Sequence, residues 1–194
     1  MEKQTILVTG TPCVGKTTVS LRLAKELDAF YINLTELAEK ESLTLGEDEK
    51  RKTTIVNETK MRRKLKQIIQ KETGNIVVDG HYAAAVVPKS LVTRVFVLRR
   101  NPLELRKFME NCGFQGPKLW ENLAAEILDV CLVEALREQE NDKVCELDVT
   151  GKPTENVVTD VIAVLKGQKK CRVGGVDWLG ILETQGVLGE YLRV

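Results

Sequence analysis

The sequence predicts an α/β protein of three layers, with helices on both faces of a five-stranded parallel β-sheet. Two observations lead to this class. Short runs of β-branched and apolar residues alternate with longer segments in which apolar residues recur every three to four positions. A chain that alternates strands and helices in this way forms a parallel sheet with helices on each face. The length, 194 residues, suits one such domain with small insertions.

Five runs have the length and composition of strands, and four segments have helical periodicity. The predicted strands are residues 5–9, 29–33, 75–80, 94–99 and 143–149, and the predicted helices are 17–27, 58–72, 119–140 and 155–167. In the predicted helix 119–140, apolar residues from Leu123 to Ala135 share one side, which predicts a single long helix. The stretches 36–57 and 106–118 fit the alternation less well.

Composition and charge exclude several classes of protein. The chain has 29 Lys and Arg against 28 Asp and Glu, so the charge balance gives no sign of a nucleic-acid or membrane partner. The longest uncharged apolar run, residues 83–87, is far shorter than a membrane span. The first ten residues lack the pattern of a signal peptide. We therefore expect a cytoplasmic protein without a membrane partner.

The cysteines are odd in number, and none of them forms a C-x-x-C pair. They are Cys13, Cys112, Cys131, Cys145 and Cys171. This pattern predicts neither a zinc site nor a disulfide scaffold, and it fits a reducing compartment. We interpret the five thiols as small apolar side chains rather than as redox groups.

The most informative motif is GTPCVGKT, which matches G-x-x-x-x-G-K-[ST] between a predicted strand and a predicted helix. Two glycines let the backbone wrap closely around a phosphate, and the helix that follows presents its positive end to the same anion. Lys16 would reach the β- and γ-phosphates, Thr17 would ligate Mg²⁺, and Thr18 would donate to the α-phosphate. The alternative is a glycine-rich turn with a solvated lysine. The predicted nucleotide-binding residues of this loop are Gly10, Pro12, Val14, Gly15, Lys16, Thr17 and Thr18.

The third predicted strand ends in IVVDGHY, which places Asp79 and His81 where open α/β sheets bind ligands. Asp79 would hold the Mg²⁺ water shell, as the acidic residue after an apolar strand does in phosphate-loop enzymes. The alternative for Asp79 is an Asp-Gly turn. His81 is the only histidine, and it would position the attacking phosphate or relay a proton. The alternative for His81 is a loop histidine bonded to backbone.

Charged residues after the second strand are candidates for binding a second substrate. Glu36 would steer a sugar or a base, although it equally suits the positive end of a helix that Thr35 caps. Arg51 and Arg62 would contact a second phosphate, because guanidinium groups match phosphate oxygens. Lys52 and Arg63 are further candidates, and the run 46–52 otherwise predicts a solvated loop.

Two more basic residues are candidates on the donor side. Arg99 ends the fourth predicted strand, where it would stack on adenine; the alternative is a surface ion pair. Lys118 follows the breaker run GFQGP, at the place of a mobile cover over the phosphates. The segment 167–175 looks like a linker to a short C-terminal piece. Its apolar residues indicate either a helix packed on the protein's own core or a docking site for a partner.

Taken together, the phosphate loop, IVVDGH, VFVLRRNPLEL and KLWENLAAEILDVCLVEA resemble the small nuclear-type adenylate kinase family, which includes the isoenzyme-six group and its archaeal homologues. The resemblance covers roughly residues 3–166. Its most specific parts are Asp-x-His after the third strand and the helix N-x-x-x-E-I-x-x-V-x-x-x-E-A. The positions of that helix motif are Asn122, Glu126, Ile127, Val130, Glu134 and Ala135.

The resemblance implies a P-loop NTPase fold of the nucleoside monophosphate kinase type, with ATP as donor, AMP as the usual acceptor and Mg²⁺. Its catalytic residues would be Lys16, Asp79, His81 and Lys118, and Thr17 with Asp79 would hold the metal. The kinase domain would span residues 1–167, with a core (1–35, 73–105 and 119–167), a monophosphate-binding arm (36–72) and a short lid (106–118), followed by an extension at 168–194. The family also implies a role in maturation of the small ribosomal subunit, with a ribosomal protein and pre-ribosomal RNA as partners.

The sequence departs from the family pattern at three positions. Phe108 and Cys112 stand where the family lid has arginines, and Asn57 replaces an expected aspartate of the arm. Lid arginines stabilise charge on the transferring phosphoryl group, so their loss predicts slow transfer. Three functions remain open: a nucleoside monophosphate kinase, a slow ATPase that assists ribosome assembly, and a small-metabolite kinase on the same fold.

Overall fold

A five-stranded parallel sheet divides the protein into two apolar layers. The computed structural model describes residues 3–48 and 53–192. The strands are β1 (Thr5–Thr9), β2 (Phe30–Asn33), β3 (Thr44–Asp48), β4 (Thr53–Val56), β5 (Ile76–Asp79), β6 (Arg94–Arg99) and β7 (Val144–Asp148). The central sheet has the order β2-β5-β1-β6-β7, with every neighbouring pair parallel, whereas β3 and β4 form a separate antiparallel hairpin.

Ten helices cover the faces and ends of this sheet within the described part of the chain. They are α1 (Lys16–Glu26), α2 (Leu34–Lys40), α3 (Glu58–Lys71), α4 (Ala83–Val86), α5 (Pro102–Asn111), α6 (Gly116–Ile127), α7 (Val130–Glu138), α8 (Thr154–Leu165), α9 (Trp178–Thr184) and α10 (Leu188–Tyr191). None of them is long and apolar enough to cross a membrane.

Alternation along the strands separates the two cores, as the pleat of a strand requires. In β1, Ile6 and Val8 pack with α1, α5, α6, α8 and α9, whereas Leu7 packs with α2, α3, α4 and α7 on the other face. The predicted fold class, a three-layer α/β/α protein with a five-stranded parallel sheet, is confirmed. The loops after the carboxyl ends of β1, β5 and β6 meet at one edge, and this edge carries the candidate site.

The prediction of one long helix over residues 119–140 is wrong. The chain breaks after Leu128, because Asp129 takes a left-handed conformation with φ of 57°. Leu123 of α6 packs in the first core, whereas Leu132 and Ala135 of α7 pack in the second. A straight helix could not reach both faces of the sheet, so the apolar period of the sequence is shared between two helices.

The two stretches that fit the alternation poorly are largely regular. Residues 36–57 contain most of α2 and the β3–β4 hairpin, so the run 46–52 begins within a strand. Arg51 and Lys52 lie outside the described residues. The stretch 106–118 is the end of α5, a four-residue turn at 112–115 and the start of α6. Pro117 does not break α6, because proline is tolerated in the first turn of a helix.

The C-terminal segment is packed on the domain. Trp178 and Leu182 are buried in the same core as α1 and α8, which is the first of the two alternatives that the sequence left open. A disulfide joins Cys145 of β7 to Cys171, so the interpretation of all five cysteines as small apolar thiols is wrong for this pair. The two cysteines are 26 residues apart, and their pairing follows from the return of the chain along the edge strand β7, where the Glu146 N–H donates to the Arg172 carbonyl (2.8 Å).

Candidate active site

The motif residues 10–15 form a tight loop between β1 and α1. Gly10 has φ of 139°, and a Cβ at this position would lie 2.5 Å from the Leu98 carbonyl oxygen of β6. Gly15 has φ of 110° and caps α1. Only glycine takes these conformations readily, and only glycine allows the close approach to β6. Val14, which is fully buried, anchors the loop to the core.

Lys16 folds back over this loop. Its Nζ donates a hydrogen bond to the Thr11 carbonyl (2.7 Å). Burial lowers the pKa of the Lys16 ammonium, and the Asp79 carboxylate opposes that shift. The ammonium is therefore held close to the loop amides and within the field of a carboxylate. A polyphosphate bound in the loop would meet this cation directly.

Asp79 is the centre of a hydrogen-bonded cluster at the carboxyl end of β5. Its Oδ2 accepts from the Thr17 hydroxyl (2.7 Å), from the Tyr31 hydroxyl (2.9 Å) and from the Asn33 amide (3.3 Å). The parallel register of β2 and β5 places Asn33 directly beside Asp79. Asp79 is only 2% exposed, so the cluster fixes its side chain next to the start of α1.

The donor set beside the loop fits Mg²⁺. Within residues 3–48 and 53–192 there is no group of three or more His, Cys, Asp or Glu side chains arranged to hold a metal. Mg²⁺ does not need one, since it is usually bound by one or two carboxylates together with substrate phosphates and waters. Thr17 and Asp79 supply a hydroxyl and a carboxylate in contact with each other. These two residues would hold the ion, and a bound Mg²⁺ would neutralise charge on the phosphates.

His81 is separated from Asp79 by Gly80, where the packed Leu34 side chain leaves no room for a Cβ. A Cβ on Gly80 would lie 2.6 Å from Cδ1 of Leu34. The His81 carbonyl accepts from the Thr9 hydroxyl (2.9 Å), which ties this turn to the end of β1. His81 is exposed to solvent. Partial desolvation of its ring, followed by the charge of Lys16, lowers the pKa of His81 to about 4. The imidazole is therefore neutral near pH 7 and can accept a hydrogen bond.

The titration of His81 can be followed directly, because it is the only histidine. We expect its imidazole proton signal in NMR spectra to titrate well below the ordinary pKa of 6.5. In Lys16→Ala the midpoint should rise, since a nearby positive charge is lost. Because the pKa of His81 is lower in the folded than in the unfolded protein, the unfolded state takes up its proton first. The contribution of neutral His81 to stability is therefore complete above pH 6.5 and is lost as the pH falls towards 4. Lys25→Ala, on the exposed side of α1, is the control. A midpoint at or above 6.5 in the unmodified protein would contradict this assignment.

The residues predicted for the second substrate lie on the α2 and α3 side of the cluster. Glu36 is in the first turn of α2, where its N–H donates to Oδ1 of Asn33 (3.2 Å). Its carboxylate is one of the groups that, after burial, raise the pKa of Tyr31 to about 12. The guanidinium of Arg62 donates to the Ala85 carbonyl and so joins α3 to α4. The structure thus brings Glu36 close to the Asp79 cluster and Arg62 to the helix that follows His81.

The prediction that Arg99 stacks on adenine is wrong, and so is the alternative of a surface ion pair. Its side chain is 1% exposed. The guanidinium donates from Nε to Glu126 (2.9 Å) and from Nη1 to Glu146 (2.7 Å), and it also pairs with Asp129. Three acidic residues from α6, β7 and the α6–α7 junction therefore enclose the cation beneath the site. No face of it is left for a base.

The basic residue next to Arg99 approaches the phosphate loop, although no role was predicted for it. Arg100 donates from Nε to the Val14 carbonyl (3.2 Å), and its guanidinium lies 4.7 Å from the centroid of the Phe108 ring. Phe108, which stands where the family lid has an arginine, thus packs against the guanidinium of Arg100. Lys118 lies in the first turn of α6 with its ammonium 5.5 Å from the Phe114 ring centroid, and its catalytic role stays a prediction.

Sequence reasoning missed several residues that build this site. They are Thr11, Tyr31, Asn33, Gly80 and Glu126, which hold the loop, the Asp79 carboxylate and the turn to His81. A signal was present for two of them, because Tyr31 and Asn33 alternate with apolar residues at the end of a predicted strand. Glu126 was visible only as part of the helix motif.

Comparisons with known proteins agree with this geometry. The family described as "AAA domain" matches residues 6–129. A protein of Methanocaldococcus jannaschii named "Putative adenylate kinase" is 38% identical over 173 residues, covering 89% of this chain and 92% of that protein. A protein of the same name from Pyrococcus furiosus is 38% identical over 191 residues and covers 97% of each chain. Sequence similarity therefore extends past residue 166, where the resemblance was expected to end.

Solved structures share the fold. Shikimate kinase from Acinetobacter baumannii superposes with a TM-score of 0.61 at 13% identity, covering 86% of this chain and 95% of that one. Thymidylate kinase from Candida albicans superposes with a TM-score of 0.54 at 16% identity, covering 88% and 97%. At these identities the likeness concerns the fold alone.

Proposed function

Because this chain belongs to the adenylate kinase-like family of P-loop proteins and is an ATP-dependent phosphotransferase, we propose that it transfers the γ-phosphoryl group of MgATP to AMP or a related nucleoside monophosphate. One observation carries the proposal. The Thr17–Asp79 pair, at 2.7 Å, lies beside a glycine loop whose lysine reaches back over the same space. Carboxylate, hydroxyl and ammonium groups together suit a metal-bound polyphosphate.

Phosphoryl transfer depends mainly on positioning and charge neutralisation, and the arrangement of the described residues supports a role in both. The loop amides and Lys16 would hold the donor phosphates, and Tyr31 and Asn33 keep the Asp79 carboxylate in place. Neutral His81 would hydrogen-bond the acceptor phosphate without adding charge. Glu36 and Arg62, together with Arg51, which lies outside the described residues, are the proposed contacts to the acceptor.

The proposal is tested by measuring ADP formation in the presence of Mg²⁺ with and without AMP. We expect AMP to raise the rate of ADP formation by at least about tenfold, because the acceptor completes the reacting pair. A panel of nucleoside monophosphates then identifies the preferred base. If the whole panel is inert while a small alcohol such as shikimate is phosphorylated, the protein is a metabolite kinase and the proposal is wrong.

A slow ATPase is the second candidate, and a specific observation favours it. Phe108 and Cys112 replace the expected lid arginines, and Arg106 is engaged by Glu110 (2.9 Å) and Glu190 (2.7 Å). A lid without available arginines would transfer a phosphoryl group slowly. Release of inorganic phosphate at the same rate without any monophosphate would favour this candidate over the kinase.

A role in maturation of the small ribosomal subunit, in the cytoplasm, is a further part of the proposal. It is supported by the resemblance in the Asp-x-His motif and in the helix motif that begins at Asn122. The Cys145–Cys171 disulfide removes one of the arguments for a reducing compartment. A pull-down from cell extract that recovers no small-subunit ribosomal protein would contradict the ribosomal role.

A further inference from the structure

One buried carboxylate links its own helix to three other segments of the chain. Glu126 of α6 is 1% exposed. Its Oε2 accepts a hydrogen bond from the Thr11 hydroxyl (2.6 Å). Its Oε1 accepts from the Trp178 indole (3.0 Å), the Arg100 backbone N–H (3.1 Å) and Arg99 Nε (2.9 Å). The phosphate loop, the end of β6 and the C-terminal segment therefore meet at a single side chain.

The bond from Thr11 is the one that concerns the phosphate loop. Thr11 is the second residue of the loop, and its carbonyl oxygen is the acceptor for Lys16 Nζ (2.7 Å). The Val14 N–H points to the same carbonyl at 3.4 Å. Fixing the Thr11 hydroxyl therefore fixes the residue on which the lysine and the turn of the loop depend. Preorganised loops bind phosphate more tightly, because less ordering is left for the binding step.

The bond from Trp178 brings the C-terminal segment into the same unit. Trp178 is 4% exposed at the start of α9. A second contact lies close by, because the Gly175 N–H donates to Glu146 Oε2 (2.9 Å) and Glu146 pairs with Arg99. The indole N–H is a neutral donor to a carboxylate that already compensates a buried guanidinium. A tryptophan that only fills the core can donate its N–H to any acceptor. Trp178 donates to the carboxylate that also binds Thr11.

We propose that Glu126 and Trp178 are positioning residues for ATP binding, with Trp178 orienting Glu126 and Glu126 in turn holding the Thr11 end of the phosphate loop. The C-terminal segment 171–192 is then part of the nucleotide-binding unit and not an appendage. This inference rests on ATP binding at the phosphate loop, as the proposed function does, but it does not depend on the acceptor.

The two ends of this chain of contacts are better test positions than its centre. Replacing Glu126 would leave Arg99 buried with part of its compensating charge removed, so a Glu126 variant would test folding and positioning at the same time. Thr11→Val keeps the shape of the side chain and removes the hydroxyl. Trp178→Phe keeps an aromatic ring in the core and removes the N–H.

The experiment is a double-mutant cycle on the dissociation constant of MgATP, measured by calorimetry on the full chain. We expect Thr11→Val and Trp178→Phe each to weaken binding about fivefold, in line with the loss of one typical hydrogen bond. The double variant should bind about as weakly as Thr11→Val alone, because both changes break the same path. The control pair is Thr11→Val with Trp120→Phe. Trp120 lies in α6, and its ring contacts Arg106 and Tyr191. For this pair the separate effects should multiply.

Melting temperatures of all variants separate positioning from general destabilisation. If Trp178→Phe lowers the melting temperature but leaves the MgATP dissociation constant unchanged, the inference is overturned. It is also overturned if the effects of Thr11→Val and Trp178→Phe multiply. If the unmodified protein does not bind MgATP, both this inference and the proposed function fail. If the cycle shows coupling while no monophosphate is phosphorylated, the inference stands and the proposed function fails.

Discussion

Lys16→Ala is expected to lower the rate of phosphoryl transfer by about three powers of ten while the protein stays folded. Removing one group that stabilises transition-state charge typically has an effect of this size. The fold should tolerate the change, because burial lowers the pKa of the Lys16 ammonium, which shows that the folded protein disfavours this charge. The measurement is the rate of ADP formation at saturating MgATP and AMP, together with the melting temperature.

The matched control is Lys25→Ala, in the last turn of the same helix α1 and on its exposed side. It removes an identical charge nearly three helical turns away from the loop and should leave the rate within about twofold of the original. Equal rates for Lys16→Ala and the unmodified protein would show that the loop does not hold the transferred phosphates.

Arg99→Met is expected to reduce the free energy of unfolding by about 3–5 kcal/mol, the usual effect of removing one partner of a buried ion pair. The variant would leave the carboxylates of Glu126 and Glu146 buried without their cation. Because Glu126 also holds Thr11, a loss of ATP affinity should accompany the loss of stability. Urea unfolding followed by circular dichroism measures the change.

An exposed ion pair in α7 provides the comparison. Arg137 pairs with Glu138 at 3.0 Å, but its side chain is 72% exposed. Exposed pairs contribute about 0–1 kcal/mol, so Arg137→Met should have little effect on urea unfolding. If Arg99→Met is no more destabilising than Arg137→Met, then the cluster around Arg99 does not stabilise the fold as described.

The sequence predicted those features that local chemistry determines. Alternating runs such as TILVT gave the parallel sheet, because strand and helix periods differ and can be read over a few residues. The glycine loop was predicted correctly in its place between β1 and α1, since Gly10 and Gly15 are required by backbone conformation at those positions. The family resemblance was confirmed by relatives 38% identical to this chain.

Features that depend on distant partners could not be predicted. Arg99 ends a strand next to the nucleotide edge, and nothing local reveals that Glu126 and Glu146, which are 27 and 47 residues away, enclose it. The break at Asp129 has the same origin, because the residues before and after it pack on opposite faces of the sheet. A helical period alone does not show where the two cores lie.

The most direct test of the account is the stoichiometry of the reaction, followed by phosphorus NMR with MgATP and AMP. Conversion of ATP and AMP should yield two ADP for each ATP consumed, ADP formation without AMP should be at least about tenfold slower, and Lys16→Ala should slow the reaction by about three powers of ten. Release of inorganic phosphate from ATP at one rate, with or without AMP, would contradict transfer to a nucleoside monophosphate.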